Sequence, residues 1–319
     1  MSPVKIALVG VGKIALDQHL PAIENDPDVE LVALISRSIK QQQEILDQYA
    51  GAAAYESLDD LLASDLQVDA VALCVPPGPR YEMATKALAS GLDVLLEKPP
   101  GRGVAEVTSL ADSARRLGRT LYASWHSRHA EQVATAAAWL EDKKPLALTI
   151  HWREDVRVWH PGQEWVWEAG GMGVFDPAIN AFSIATLLLP DGFYFTQAQL
   201  DVPINRQQPV SAAIQGALAG ASSGPVDIHL DWLKTGDPQW EIQIETAEGT
   251  LELKEGGAHA YVDGDCIDGT ASLGEYAGVY AHFVKLIKHN RMDVDGRPLT
   301  LVADALLMAE RREVDAFEW

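Results

Sequence analysis

VKIALVGVGKIA (4–15) decides how the chain is read. An apolar run meets Gly10, a second glycine follows at Gly12, and a small residue stands at Ala15. A short apolar run that ends at glycine is the pattern of a strand buried on both faces. The G-x-G-x-x-A spacing calls for a tight turn at Gly10 and a backbone open to close approach at Gly12. It also calls for a helix packed on the strand through Ala15. A helix is expected from about Lys13, with Pro21 kinking or ending it. The helix start at Lys13 and Ile14 supplies N–H donors and a positive dipole end suited to phosphates. Gly10, Gly12, Lys13 and Ile14 therefore form a candidate dinucleotide site. The plainer alternative is a strand–helix turn that merely tolerates glycine.

Outward from this loop the pattern repeats. VELVALIS (29–36), VDAVALCV (68–75), LDVLLEKP (92–99) and RTLYASW (119–125) read as strands, with a short one near Ala53. Helical segments separate them: SIKQQQEILDQYA (38–50), SLDDLLAS (57–64), RYEMATKALASG (80–91) and VAEVTSLADSARRLG (104–118). Ser57 is a plausible N-cap, and Gly91 and Gly118 mark helix ends. Buried strands alternating with helices describe an α/β fold, an N-terminal Rossmann-type doubly wound parallel sheet over 1–122. Beyond it, LALTIHW (146–152), YFTQAQLDV (194–202), VDIHLDWL (226–233), WEIQIETA (240–247) and GTLELKE (249–255) are strand-like, several with apolar/polar alternation. Alternation suits an antiparallel sheet covered on one face. Residues 123–319 are thus expected to form an α+β domain with a large, mostly antiparallel open sheet. Helices are expected at 275–290 and 299–317, the last packing back on the first domain.

The chain has 319 residues, with 25 Lys and Arg against 46 Asp and Glu, a net charge of −21. That charge argues against non-specific nucleic-acid binding and against anionic membranes. The longest uncharged run, 207–226, is too polar to span a bilayer. Two distant cysteines, Cys74 and Cys266, exclude a disulfide framework. The N-terminus has no basic lead-in, so a cytoplasmic protein is expected.

At the end of the second strand stand Ser36 and Arg37, where an acidic residue would bond the 2′-hydroxyl of NAD. Serine and arginine can instead bind a 2′-phosphate. NADP is expected as cofactor, with NAD accepted too; the alternative is an exposed arginine at a strand end. Cys74 and Pro76, closing the third strand, join the cofactor group. Glu97-Lys98-Pro99 ends a further parallel strand, where ligands bind in such sheets. Lys98 there can orient a hydroxyl and exchange a proton.

At this point the chain resembles the Gfo/Idh/MocA oxidoreductases. The carriers are KIALVGVGKIA (5–15), LCVPPGPRYEMATKALASGLDVLLEKP (73–99) and GGMGVFDPAIN (170–180), and the resemblance runs through essentially the whole chain. It implies that Lys98 is catalytic and that Glu97 and Lys98 lie by the cofactor. The family commonly has Asp followed four residues later by His; here Asp176 is followed by Asn180. Spacing of four puts both on one helical face. Asn180 cannot take a proton, so base duty shifts to Asp176, to Lys98 or to a water they hold. The same departure is similar to the L-arabinose/D-galactose 1-dehydrogenase branch. It implies NAD(P)-dependent oxidation of the C1 hydroxyl of a galactose-configured pyranose (L-arabinose, D-galactose, D-fucose) to the lactone. The alternatives are another sugar or polyol dehydrogenase, a nucleotide-sugar oxidase, or a non-catalytic NADP- or sugar-sensing regulator. His126, Trp152, Arg153, His160, Asp176, Asn180 and Lys98 form the candidate substrate group. His126 and His129 lack a convincing third ligand, so no metal is expected. The resemblance also implies a homodimer, or a tetramer, formed through the C-terminal sheet.

Overall fold

Six short strands carry the first sheet: β1 (Val4–Val9), β2 (Val29–Ile35), β3 (Ala53–Tyr55), β4 (Ala70–Leu73), β5 (Asp93–Leu96) and β6 (Leu121–Ala123). The computed structural model describes residues 2–220, 223–270 and 272–319. The strand order is β3-β2-β1-β4-β5-β6, with every neighbouring pair parallel. This is the doubly wound arrangement, whose order reverses between β1 and β4. Side chains alternate along β1: Val4, Ile6 and Leu8 enter one core, Ala7 and Val9 the other. Both faces are buried from Ile6 onward, which is why the strand reads as an apolar run from there to Val9. Leu20 joins Ile6 and Leu8 in the first core, and Ala84, Leu88, Leu110 and Ala114 line the second.

Local signals explain several boundaries. Helical backbone begins at Lys13 and widens over Ala15–His19, just before Pro21, whose missing N–H cannot close the usual turn. Ser57 caps its helix by accepting the Asp60 N–H at 3.1 Å. Gly118 ends the helix Val104–Leu117 in the left-handed conformation, φ 62°. The helix Pro77–Ala89 starts earlier than its periodicity suggested, because proline is well suited to a first helical turn.

The contacts divide the chain into two units: residues up to His126 with Tyr276–Gly296, and Ser127–Glu275 with Arg297–Trp319. This differs from the expected cut at 122. The helix Glu275–Lys288 gives Val279, Tyr280, Phe283 and Val284 to the core beneath β1, so a late segment completes the first unit. The last helix remains with the second unit.

The second unit holds a sheet of β7 (Ala147–Arg153), β8 (Phe193–Pro203), β9 (Ser211–Leu218), β10 (Pro225–Asp231), β11 (Gln239–Thr246), β12 (Gly249–Lys254), β13 (His259–Val262), β14 (Asp265–Cys266) and β15 (Glu310–Val314). Their order is β14-β13-β12-β11-β7-β10-β9-β8-β15. β7–β10 and β8–β15 are parallel; the other neighbours are antiparallel. The helix Phe175–Leu188 packs on β7 and β11, and the helix Arg297–Met308 packs on it and on β8.

Two expectations need correction. The helix expected over 299–317 stops at Met308, and Glu310–Val314 becomes an edge strand beside β8. There Arg312 makes a double hydrogen bond to Asp201, at 2.7 and 2.8 Å. An open ladder and a partner distant in sequence override the local helical pattern. The uncharged run 207–226, first read only as too polar for a membrane, contains strand β9. No described helix is long and apolar enough to cross a membrane.

Candidate functional site

In the first unit the ladder lines up the carboxyl ends of its strands. Val9 pairs with Ile35 and Leu73, Leu73 with Leu96, and Leu96 with Ala123. The residues that follow these ends therefore share one edge of the sheet. They are Gly10, Gly12, Lys13 and Ile14 after β1, and Ser36 and Arg37 after β2. Cys74 and Pro76 follow β4, Glu97 and Lys98 follow β5, and His126 follows β6. This is the edge at which doubly wound sheets bind ligands.

The glycine loop fits a dinucleotide phosphate group. Gly10 has φ 97°, and a Cβ there would lie 2.9 Å from the backbone N of Val75. Only glycine makes that turn without strain. A Cβ at Gly12 would meet nothing within 4 Å. Packing within the protein therefore does not demand the second glycine, whereas a pyrophosphate approaching the backbone would. Gly12, Lys13 and Ile14 are exposed, while Ala15 is fully buried against the strand. Arg37 is exposed and Ser36 half-buried.

Beneath Lys98 lies a polar cluster that the sequence reading missed. The Glu97 carboxylate is buried, and its Oε1 accepts from Tyr276 Oη at 2.8 Å. His19 Nε2 lies 3.1 Å from the same oxygen, and Glu97 Oε2 accepts the Lys98 backbone N–H at 2.7 Å. His19 Nδ1 is 2.8 Å from Tyr280 Oη. The buried guanidinium of Arg80 donates to the carbonyls of Glu97, Pro99 and Val75. His126 stacks on Tyr276, with ring centroids 5.2 Å apart. The Lys98–Pro99 peptide bond is cis.

Burial alone would raise the Glu97 pKa. The hydrogen bond and charge of His19, the charge of His126 and the Tyr276 hydroxyl outweigh it, and the carboxyl is held at about 2. Burial alone would lower the His19 pKa, but Cys74, Tyr280 and Glu97 carry it well above the ordinary value. Burial, opposed by His19, pushes the Tyr280 phenol up to about 12. A histidine on the buried stripe of a helix was the only hint that the sequence offered.

The second unit assembles its own group. Gly173, with φ 54°, fits where a Cβ would strike the Pro209 carbonyl, and the helix Phe175–Leu188 starts just after it. That start carries Asp176, which is 2% exposed, and one turn later the half-buried Asn180. His160 Nε2 lies 3.4 Å from Asp176 Oδ2, and the His160 ring meets Trp232 edge-on at 5.3 Å. Trp152 is buried and stacks on Trp240 at 6.1 Å. The indoles of Trp232 and Trp240 both donate to the buried carboxylate of Glu154, at 3.1 and 2.8 Å. Glu154 went unnoticed, although it continues the buried phase 148, 150, 152 of β7.

The same alternation removes Arg153 from this group. It lies on the opposite face of β7 from Trp152, with Nη2 3.3 Å from His151 Nδ1. Among the described residues no cluster of three His, Cys, Asp or Glu could hold a metal ion.

Known proteins bear on both units. Residues 4–124 match the Gfo/Idh/MocA model described as an oxidoreductase family with an NAD-binding Rossmann fold. Galactose 1-dehydrogenase of Pseudomonas fluorescens is 41% identical over 317 residues, 99% of each chain. The crystal structure of a D-galactose-1-dehydrogenase protein from Rhizobium etli is 43% identical with a TM-score of 0.91, over 100% of this chain and 99% of that one. A 3-ketoreductase from Actinomadura kijaniata shares the fold at 19% identity and a TM-score of 0.83, over 98% of this chain and 99% of that one. With a glycine loop shaped for a dinucleotide and a relative aligned along nearly its whole length, the chain belongs to the Gfo/Idh/MocA family of oxidoreductases.

Proposed function

We propose that this protein is an aldose 1-dehydrogenase that oxidises the C1 hydroxyl of a galactose-configured pyranose to the lactone. D-galactose, L-arabinose and D-fucose are the substrates, with NADP as cofactor and NAD accepted as well. The observation that carries the reading is the 41% identity, along the whole chain, to a galactose 1-dehydrogenase. The Asp176 and Asn180 pair, one helical turn apart, supports it.

A bound nicotinamide supplies the acceptor for the hydride that leaves C1. Gly10, Gly12, Lys13 and Ile14 hold the phosphates, and Ser36 and Arg37 bind the 2′-phosphate; Cys74, Pro76 and Glu97 line the cofactor's edge of the sheet. Lys98 orients the C1 hydroxyl and, with Asp176, removes its proton. Asn180 orients a sugar hydroxyl as donor and acceptor but carries no proton away. His160, beside Asp176, and His126 bind further hydroxyls, and Trp152 contributes to the apolar wall. Discrimination among these sugars is modest, because one missing exocyclic group costs only about 1–3 kcal/mol. The polar face of the C-terminal sheet is assigned to a homodimer in the cytoplasm, which sedimentation at several protein concentrations checks.

The test is nicotinamide reduction followed by absorbance. D-galactose, L-arabinose, D-fucose, D-glucose, D-xylose and myo-inositol are compared with NAD and NADP in parallel. Turnover confined to the galactose-configured sugars is expected; silence with those sugars, with NADP binding intact, overturns the reading.

A further inference from the structure

The backbone around Lys98 is held at its own N–H and at the carbonyls of both its neighbours. Glu97 Oε2 takes the Lys98 N–H, and Arg80 takes the carbonyls of Glu97 and Pro99. Glu97 can serve only if its carboxylate stays charged and fixed in a site that is 4% exposed. A buried carboxylate needs donors on its remaining lone pairs. His19 and Tyr276 supply them at Oε1. His19 is fully buried and is itself oriented by Tyr280, four residues beyond Tyr276 on the same helix. The groups facing the imidazole are therefore Glu97, Tyr276, Tyr280 and Cys74, with His126 stacked behind Tyr276.

We infer that His19 is a positioning residue for Lys98. By donating from Nε2 to Glu97 Oε1, it fixes the carboxylate that pins the Lys98 backbone. The inference rests on the assignment of Lys98 to proton handling. It adds a helix of the nucleotide-binding half, through His19, to the parts that set the lysine's geometry. Misplacing a reacting group by about 1 Å can cost roughly a hundredfold in rate, so a loose Lys98 is read in kcat.

Two substitutions separate positioning from bulk packing. His19→Gln places an amide donor near the Nε2 position and keeps the bond to Glu97. His19→Asn keeps a polar group on the Tyr280 side but cannot reach Glu97. Kinetics with D-galactose and NADP are expected to show kcat reduced by about tenfold to a hundredfold in His19→Asn, with little change in sugar KM, and largely recovered in His19→Gln. In the protein without cofactor, amide exchange of the peptide spanning 96–99 is expected to quicken by about tenfold in His19→Asn and to stay slow in His19→Gln. Exchange in β2 serves as the control for global opening.

If His19→Asn does not fold, Tyr276→Phe removes the other Oε1 donor without opening a cavity, and a smaller change of the same sign is expected. Equal exchange in the two His19 variants, or exchange faster to the same extent in β2, overturns the inference. If the wild type turns over no sugar, the exchange result still decides the role of His19, so the two failures are distinguishable.

Discussion

At the residue scale the chemistry rests on few atoms. Lys98→Met removes the amine while keeping the length of the side chain. Turnover is expected to fall by about a hundredfold or more, the range of general acid–base contributions, with NADP affinity retained. Retained turnover would take Lys98 out of the mechanism. Arg37→Ala is expected to weaken NADP by about tenfold to a hundredfold and to leave NAD nearly unchanged, the loss of a charge-assisted bond to a 2′-phosphate; equal losses for both cofactors argue against that contact. The His19–Glu97 pair makes stability depend on pH from two sides. His19 is raised above 6.5, so its contribution is complete below that pH and is lost as pH rises through its folded value. Glu97 is lowered from 4.5 to about 2, so its contribution is present above 4.5 and is lost as pH falls toward 2. Thermal melting across about pH 5 to 9 should show the wild type exceeding His19→Asn most near neutral and acidic pH, with the gap narrowing as pH rises. A gap independent of pH would mean that the histidine contributes packing only.

At the element scale, strands with self-contained signals were legible, and strands defined by their distant neighbours were not. β1, β2, β4 and β5 are apolar through their carboxyl-terminal halves, where both faces are covered, and helix caps such as Ser57 and Gly118 sit where their chemistry demands. β9 carries glycine, alanine and glutamine, and its identity comes from the two strands it pairs with, β8 and β10. Gly216 shows the constraint: a Cβ there would lie 2.2 Å from the Tyr194 carbonyl, beside the irregularity between Phe195 and Gln197. Gly216→Val should destabilise the second unit by about 2–4 kcal/mol, the range for overpacking with a strained backbone. Denaturant melting followed by the tryptophans checks this, and an unchanged midpoint would show that the bulge yields cheaply.

At the scale of the whole molecule, charge acts before contact. A net charge of −21 repels an anionic cofactor over distances set by the ionic strength. Raising salt from about 0.01 to 0.15 M shortens the screening length from roughly 30 to 8 Å and should speed NADP association. Stopped-flow mixing reads the rate directly. A rate that falls with salt would mean that the positive helix end at Lys13 and Ile14, with Arg37, governs the approach.

Local chemistry determined what the sequence could reveal by itself. Doubly buried strands, the turn at Gly10, and the placement of Lys98 and Asp176 at element ends all follow from residues adjacent in the chain. Only the tertiary structure decided which distant residues share a site or a core. The helix Glu275–Lys288 completes the first core, and Arg312 finds Asp201 across the sheet edge. Glu97 meets His19 and Tyr276 across 78 and 179 residues, and His19 meets Tyr280 across 261. Burial also turned a motif glutamate into a charged anchor, because the donors that keep it ionised are brought together by packing and not by spacing.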